Sequence, residues 1–236
     1  MSERTLAIMQ PYIFPYIGYF SLIDSADEFV FYDDVSYIKQ GWINRNKILV
    51  NGEAYRFSVP LVNGSSNELI CNVEISNLRM FRGKFLKTLE QSYSKSRFYD
   101  TGMQYVVETL SFNTKSISEL AILSVKKAVD LLDISTGIHS SSEVFSDIRN
   151  FGRQERIIEI ADRLDCRRYV NSVGGKHLYD KNYFSQRNIF LEFLRPKLTP
   201  YRQKSPLPVL NLSIIDFFMN LEISEIKSHV LGYDFE

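Results

Sequence analysis

The chain has 236 residues, 44% hydrophobic and 14% aromatic, with Lys+Arg and Asp+Glu equal at 28 each. That composition suits one large domain, is too apolar for a disordered segment, and lacks the basic excess of a general nucleic-acid binder. Cys71 and Cys166 read as free thiols, His139, His177 and His229 are too scattered for a zinc site, and residues 1–10 lack the apolar core of a signal peptide; no run reaches the length of a membrane span, so the cytoplasm is the expected compartment.

In chain order, residues 5–9 predict a buried strand that ends at Gln10-Pro11, because Pro11 cannot extend a central strand. Pro15 then opens a predicted helix over 15–25, and 28–32 predict a second strand ending at Asp33-Asp34. Strand, helix, strand is a βαβ unit and implies a parallel sheet. Asn51-Gly52 predicts a hairpin turn between strands at 47–50 and 55–59, and 69–75 predict another strand. Helical periodicity covers 82–94 (Phe85, Leu86, Leu89 and Tyr93 on one face), 99–112 and 118–132, with Ser118 as an N-cap. A further amphipathic helix is predicted over 153–164, strands at 168–170 and 190–193, a proline-punctuated loop over 196–208, and a last helix over 212–220 capped by Ser213 or Asn211. The fold expected is a single α/β domain over 1–236, a parallel-sheet Rossmann-like core of the nucleotidylyltransferase kind with additional helices, including a helical insertion near 80–150.

Open α/β sheets bind ligands beyond the carboxyl ends of their strands, and four polar or glycine-bearing segments stand there. In the first, Gln10, Tyr12, Tyr16, Gly18 and Tyr19 surround a predicted helix start, where a glycine lets phosphate approach the backbone N–H groups. The same residues also suit a packed core, with Tyr16 and Tyr19 as buried aromatics and Gly18 permitting close helix packing. The second is Asp33-Asp34; adjacent strand residues point to opposite faces, so one carboxylate is expected to face the crevice. Asp34 is preferred, as a Mg²⁺ ligand, a holder of a substrate amine or a base, against a solvated turn or helix cap. The third gathers Lys39, Trp42, Asn44, Arg45 and Asn46; Trp suits stacking on a base and Arg pairing with phosphate, against an exposed hairpin with solvated charges. The fourth, Gly174-Gly175-Lys176-His177, is a candidate anion cradle without Walker A spacing, against a plain turn; His177 is a candidate base. Asp216 reads as an ordinary helix-face residue.

The Tyr16-x-Gly18-Tyr19 pattern occupies the place of His-x-Gly-His in nucleotidylyltransferases and class I aminoacyl-tRNA synthetases, where the segment binds ATP phosphates. Taken together, Gln10-Pro11 through Gly18-Tyr19-Phe20, Ala26-Asp27 through Asp33-Asp34-Val35, Lys39 with Trp42 through Asn46, Tyr169 with Gly174-Gly175-Lys176, and Leu212 through Asp216 make the chain resemble the WbqC-like family nearly end to end. The resemblance departs from the commoner pattern at Asn171 and Val173, where small residues often sit.

The resemblance implies work in O-antigen or other surface-polysaccharide biosynthesis. The reaction implied is transfer of an acyl or aminoacyl group, such as glycine, or its ATP-dependent ligation, onto the amine of a nucleotide-linked amino sugar, for which a TDP-sugar is expected. ATP, with Mg²⁺, would activate the carboxylate, and an aminoacyl-tRNA donor is a variant that the zero net charge disfavours. Asp34, Tyr19 and His177 are the expected catalytic residues. A nucleotidylyltransferase that makes the sugar nucleotide, or a non-catalytic sugar-nucleotide binding protein, are the alternatives.

Overall fold

A computed structural model describes residues 4–236. The reading of residues 1–10 as no signal peptide falls partly on residues 1–3, which lie outside the described residues. Among the described residues eight strands form, β1 (Thr5–Met9), β2 (Glu28–Phe31), β3 (Arg45–Val50), β4 (Glu53–Ser58), β5 (Gly137–Ser140), β6 (Arg168–Ser172), β7 (Phe190–Pro196) and β8 (Tyr233–Phe235). Six of them make one sheet in the order β5-β2-β1-β6-β7-β8. All neighbours are parallel except β7 and β8. Counting only the sheet's own strands along the chain, this is the doubly wound order 3-2-1-4-5-6, in which the winding reverses between β1 and β6. The expected Rossmann-like core is therefore present.

The sheet is buried on both faces, as parallel sheets are, and successive side chains sort between two cores. Leu6 and Ile8 of β1, Val30 of β2, Tyr169 of β6 and Phe193 of β7 join one core with Ile157, Ile160 and Ala161 of α6 (Arg153–Arg163). Ala7, Phe29, Phe31, Val170 and Leu194 join the other. That larger core is covered by α1 (Ile17–Asp24), α2 (Leu78–Tyr93), α3 (Tyr99–Leu110), α4 (Ile117–Leu131), α8 (Ile214–Asn220) and α9 (Ile223–Val230). Along the chain, helices α2, α3 and α4 fall between the hairpin β3–β4 and the edge strand β5. Two short helices, α5 (Ser141–Val144) and α7 (Lys181–Ser185), complete the second face.

Several local expectations change. Segment 69–75 is a 3-10 turn over Ile70–Asn72 held by single bridges, Ser36 to Leu69 and Leu61 to Ile75, and not a strand. Helix α4 is capped by Ser116, whose hydroxyl accepts from Glu119 N–H at 3.3 Å; Ser118 sits inside the helix. Helix α1 starts at Ile17, with Tyr16 as its cap. Helix α8 is capped by Ser213, whose hydroxyl accepts from Ile215 N–H at 3.2 Å. Strands β5 and β8 and helices α5, α7 and α9 carry no sequence expectation; β5 (Gly-Ile-His-Ser) and β8 (Tyr-Asp-Phe) are short edge strands with too few apolar residues to show a period.

Candidate functional site

The carboxyl rim of the sheet gathers the loops after β1, β2, β5 and β6. On the α1 side lies the turn 10–16. Phe14 adopts a left-handed backbone with φ of 45°, a conformation costly for an ordinary residue. It is held from several directions. Asn46 Nδ2 donates to the Phe14 carbonyl at 2.8 Å and to that of Ile13 at 3.3 Å, Ser213 Oγ donates to the Phe14 carbonyl at 2.7 Å, and Phe14 N–H donates to Ser124 Oγ at 3.0 Å. Ile13 N–H also donates to the Ile43 carbonyl at 3.1 Å. The first and third candidate segments are thus brought together, and Asn46 is the clamp between them. Asn44 is likewise engaged, accepting from Tyr37 Oη and donating to the Val59 carbonyl, each at 2.8 Å. Both asparagines are buried, so their amides serve the fold.

Gly18 is buried in the first turn of α1. A Cβ there would stand 2.6 Å from the Tyr16 ring and 2.8 Å from Pro196 Cγ. Close packing of α1 on the end of β7 is therefore what the glycine permits. Tyr19 is buried; its hydroxyl donates to the Gln10 carbonyl at 2.8 Å, and burial holds its phenol well above the usual range. Tyr19 is a positioning residue for the turn. Tyr12 and Gln10 are half-buried beside it, with the Tyr12 and Tyr19 rings 5.5 Å apart. Tyr16 is half-buried and bridges to Ser213. Trp42 is 40% exposed with Lys47 Nζ 5.6 Å over its ring. Arg45 is half-buried, Lys39 exposed.

After β2, Asp33 and Asp34 are 3% and 2% exposed. Both carboxylates meet the serine run after β5, and beyond it Asp33 turns to Ser118 of α4 and Asp34 to Arg156 of α6. Asp33 Oδ2 accepts from Ser142 Oγ at 2.8 Å and Ser118 Oγ at 3.1 Å, and Oδ1 from Ser142 N–H at 3.0 Å. Asp34 accepts from Ser141 Oγ and from Arg156 Nη2, the latter at 2.6 Å. Arg156 is 1% exposed, and its guanidinium stacks 4.7 Å from the Tyr32 ring centre. Burial opposes its charge, but the hydrogen bond it donates to Asp34 and the nearby Tyr32 and Asp34 together outweigh that, and the arginine is held more firmly protonated than usual. Asp34 thereby balances the buried charge of Arg156. These aspartates do not fit Mg²⁺, because their oxygens are taken by hydroxyls, an amide and a guanidinium. Among the described residues no group of three His, Cys, Asp or Glu stands together as a metal site.

After β6, Gly174, Gly175, Lys176 and His177 fall in a 3-10 turn, Val173–Leu178. Neither glycine has a positive φ; Gly175 leaves room for the Asn171 Oδ1, which would stand 2.9 Å from a Cβ. Asn171 Nδ2 donates to Tyr169 Oη at 2.5 Å, and Tyr179 Oη is 3.5 Å away. Lys176 is drawn off toward Glu236, 3.4 Å away. His177 is exposed. Beside this turn opens a hollow of about 400 Å³ lined by Gly152, Arg153, Gln154, Glu155, Leu178 and Tyr183. Neither Gly18 nor 174–176 lines it, so the first and fourth candidate segments share the rim without sharing this hollow.

The sequence reading did not find Arg156, Tyr32, Ser141, Ser142 or Arg153. One signal was available. Arg156 lies four residues before Ile160, on the buried stripe of α6, where an arginine has to be paired.

Comparison with known proteins gives two findings. The model of the family described as "WbqC-like protein family" matches residues 10–228. A protein of Mycobacterium tuberculosis (strain ATCC 25618 / H37Rv), Rv1507c, described as uncharacterized, is 26% identical over 189 residues, covering 79% of this chain and 80% of its own. No solved structure matches. No described helix is long and apolar enough to cross a membrane.

Proposed function

The chain belongs to the WbqC-like protein family, which suggests a role in polysaccharide biosynthesis, and from that premise we propose that it is an enzyme forming an amide on the amino group of a nucleotide-linked amino sugar. The observation that carries this reading is the winding reversal between β1 and β6, the place where such sheets take nucleotides. There the paired strands β1 and β6 lead into the turn that carries the half-buried Gln10 and Tyr12 and into the loop 173–178.

In this reading a carboxylate, such as that of glycine, displaces pyrophosphate from ATP and becomes an acyl-adenylate. The sugar amine then attacks the acyl carbon, the bond to AMP breaks, and a proton leaves the nitrogen. His177, next to Leu178 in the wall of the hollow, takes that proton as the general base. Asp34 fixes Arg156, and Tyr19 fixes the turn that carries Gln10 and Tyr12. Arg45, Lys176 and the exposed Trp42 serve the nucleotide and phosphates at the rim. Lys39 adds positive charge there.

Incubation with a TDP-linked amino sugar, ATP and glycine, read by mass spectrometry, tests the reading. A product heavier by one glycyl residue is expected, together with AMP. Pyrophosphate release from a sugar phosphate and a nucleoside triphosphate would make the protein a nucleotidylyltransferase instead. Ligand binding without any product, with acyl carriers and aminoacyl-tRNA also supplied, would leave it a sugar-nucleotide binding protein.

A further inference from the structure

We propose that the open hollow beside the first turn of α6 recognises a ligand that carries both a primary ammonium and an anionic oxygen group. Its size, about 400 Å³, falls in the range of small-molecule sites. Its wall holds two charges of opposite sign, Arg153 and Glu155, beside the apolar surfaces of Leu178 and Tyr183.

Arg153 is the one arginine of α6 in no ion pair among the described residues. Arg156 is paired with Asp34, and Arg163 with Glu159 and Asp147. Glu155 spends one oxygen on the helix end, where Oε2 accepts from Gly152 N–H at 3.2 Å, and keeps Oε1. An anion in the hollow would be held by the Arg153 guanidinium, a planar fork suited to carboxylate or phosphate. Gln154 is fixed by Asp180 N–H, which donates to its Oε1 at 2.9 Å. Tyr183 is braced by Arg187, whose guanidinium lies 4.9 Å from its ring centre. The positive charge of Arg153 also reaches the phenol of Tyr179, which connects the hollow to the end of β6.

The two charges act together as a filter. A simple anion meets Glu155, a simple amine meets Arg153, and an uncharged sugar satisfies neither; a ligand with both signs satisfies both. The proposed reaction contains two such molecules, a free amino acid and an amino-sugar nucleotide with its diphosphate. The choice of these two sources rests on that reading; the charge pattern itself does not.

Calorimetric titration without ATP separates the sources, with glycine in one arm and the TDP-linked amino sugar in the other. The variants are Arg153→Ala and Glu155→Gln, the second retaining a side chain able to cap the helix; both positions are exposed, and unchanged melting confirms folding. One of the two ligands is expected to bind, about tenfold more weakly in either variant. Acetylating the sugar amine is expected to weaken binding to the wild type and to abolish the effect of Glu155→Gln. Binding of neither ligand, or binding that both variants retain, overturns the proposal. The failures separate cleanly. Charge-dependent binding without product removes the reaction and keeps the site; product formation indifferent to both substitutions removes the site and keeps the reaction.

Discussion

Arg156 and Asp34 meet at 2.6 Å with both side chains 2% exposed, and they tie the first turn of α6 to the end of β2. Breaking such a pair leaves an uncompensated charge in the interior, which costs more than the pair itself contributes. Arg156→Met is expected to destabilise the fold by about 3–5 kcal/mol. Asp34→Asn in the same chain should restore part of the loss. A double-mutant cycle by urea unfolding measures this; strict additivity of the two substitutions would show that they do not act as a pair.

Gly18 and Gly174 are expected to respond differently to alanine. At Gly18 the new Cβ runs into Pro196 and Tyr16, both under 3.0 Å. Overpacking of this kind costs about 1–3 kcal/mol. At Gly174 the nearest atom is Ser172 Oγ at 3.9 Å, so the change is expected to stay within about 0.5 kcal/mol. Thermal melting of the two variants is the check; equal effects would remove the packing account of Gly18.

Asp216 gives a pH dependence. Its buried carboxyl accepts from Tyr93 Oη and Tyr201 Oη, each at 2.6 Å, and from Gln203 Nε2 at 3.0 Å, with no cation among its partners. Burial raises its pKa, and the bonds from Tyr201, Tyr93 and Gln203 offset that only in part. The folded-state value lies above the ordinary 3.8, so the folded chain holds this proton more tightly than the unfolded chain. The contribution is therefore complete below the ordinary value and is lost as pH rises through the folded value. The stability of Asp216→Asn relative to the wild type should rise over that window, as followed by denaturant titration at several pH values. A constant difference would mean that the carboxyl does not titrate there.

Tyr19→Phe removes the hydroxyl that serves the Gln10 carbonyl. The expected loss of stability is about 1 kcal/mol, with amide formation retained. His177→Ala should leave stability unchanged, because the side chain is exposed, and lower the turnover of the proposed reaction by about 10²-fold or more. If turnover falls in Tyr19→Phe and not in His177→Ala, the roles are reversed.

Much of the fold was legible in the sequence, because the central strands announce themselves. The segments that became β1, β2 and β7 are dense in apolar residues, the shorter Tyr169-Val170 pair of β6 is closed by Gly174-Gly175, and Asn51-Gly52 marked the hairpin. The edge strands were not legible. β5 pairs only with β2, its residues are mostly half-buried, and it needs no long apolar run. The rim was half visible. Residues 10–19 and 33–34 drew notice as polar or glycine-bearing interruptions. Their roles depended on partners more than a hundred positions away, such as Ser141, Arg156 and Pro196, which local pattern cannot supply. Asp216 is the extreme case. On helical period alone it is an ordinary first-turn acid, whereas in the structure it joins α2, α8 and the 198–212 loop through two phenols.

Trp42 is the single indole in the chain, partly open to solvent and next to Ile43, whose carbonyl receives the Ile13 amide. The molecule thus carries one built-in optical reporter, mounted on the same backbone junction as the turn after β1. Emission excited selectively at indole would register events at that junction alone, free of the fourteen tyrosines, so a nucleotide arriving at the rim could be watched in unlabelled protein.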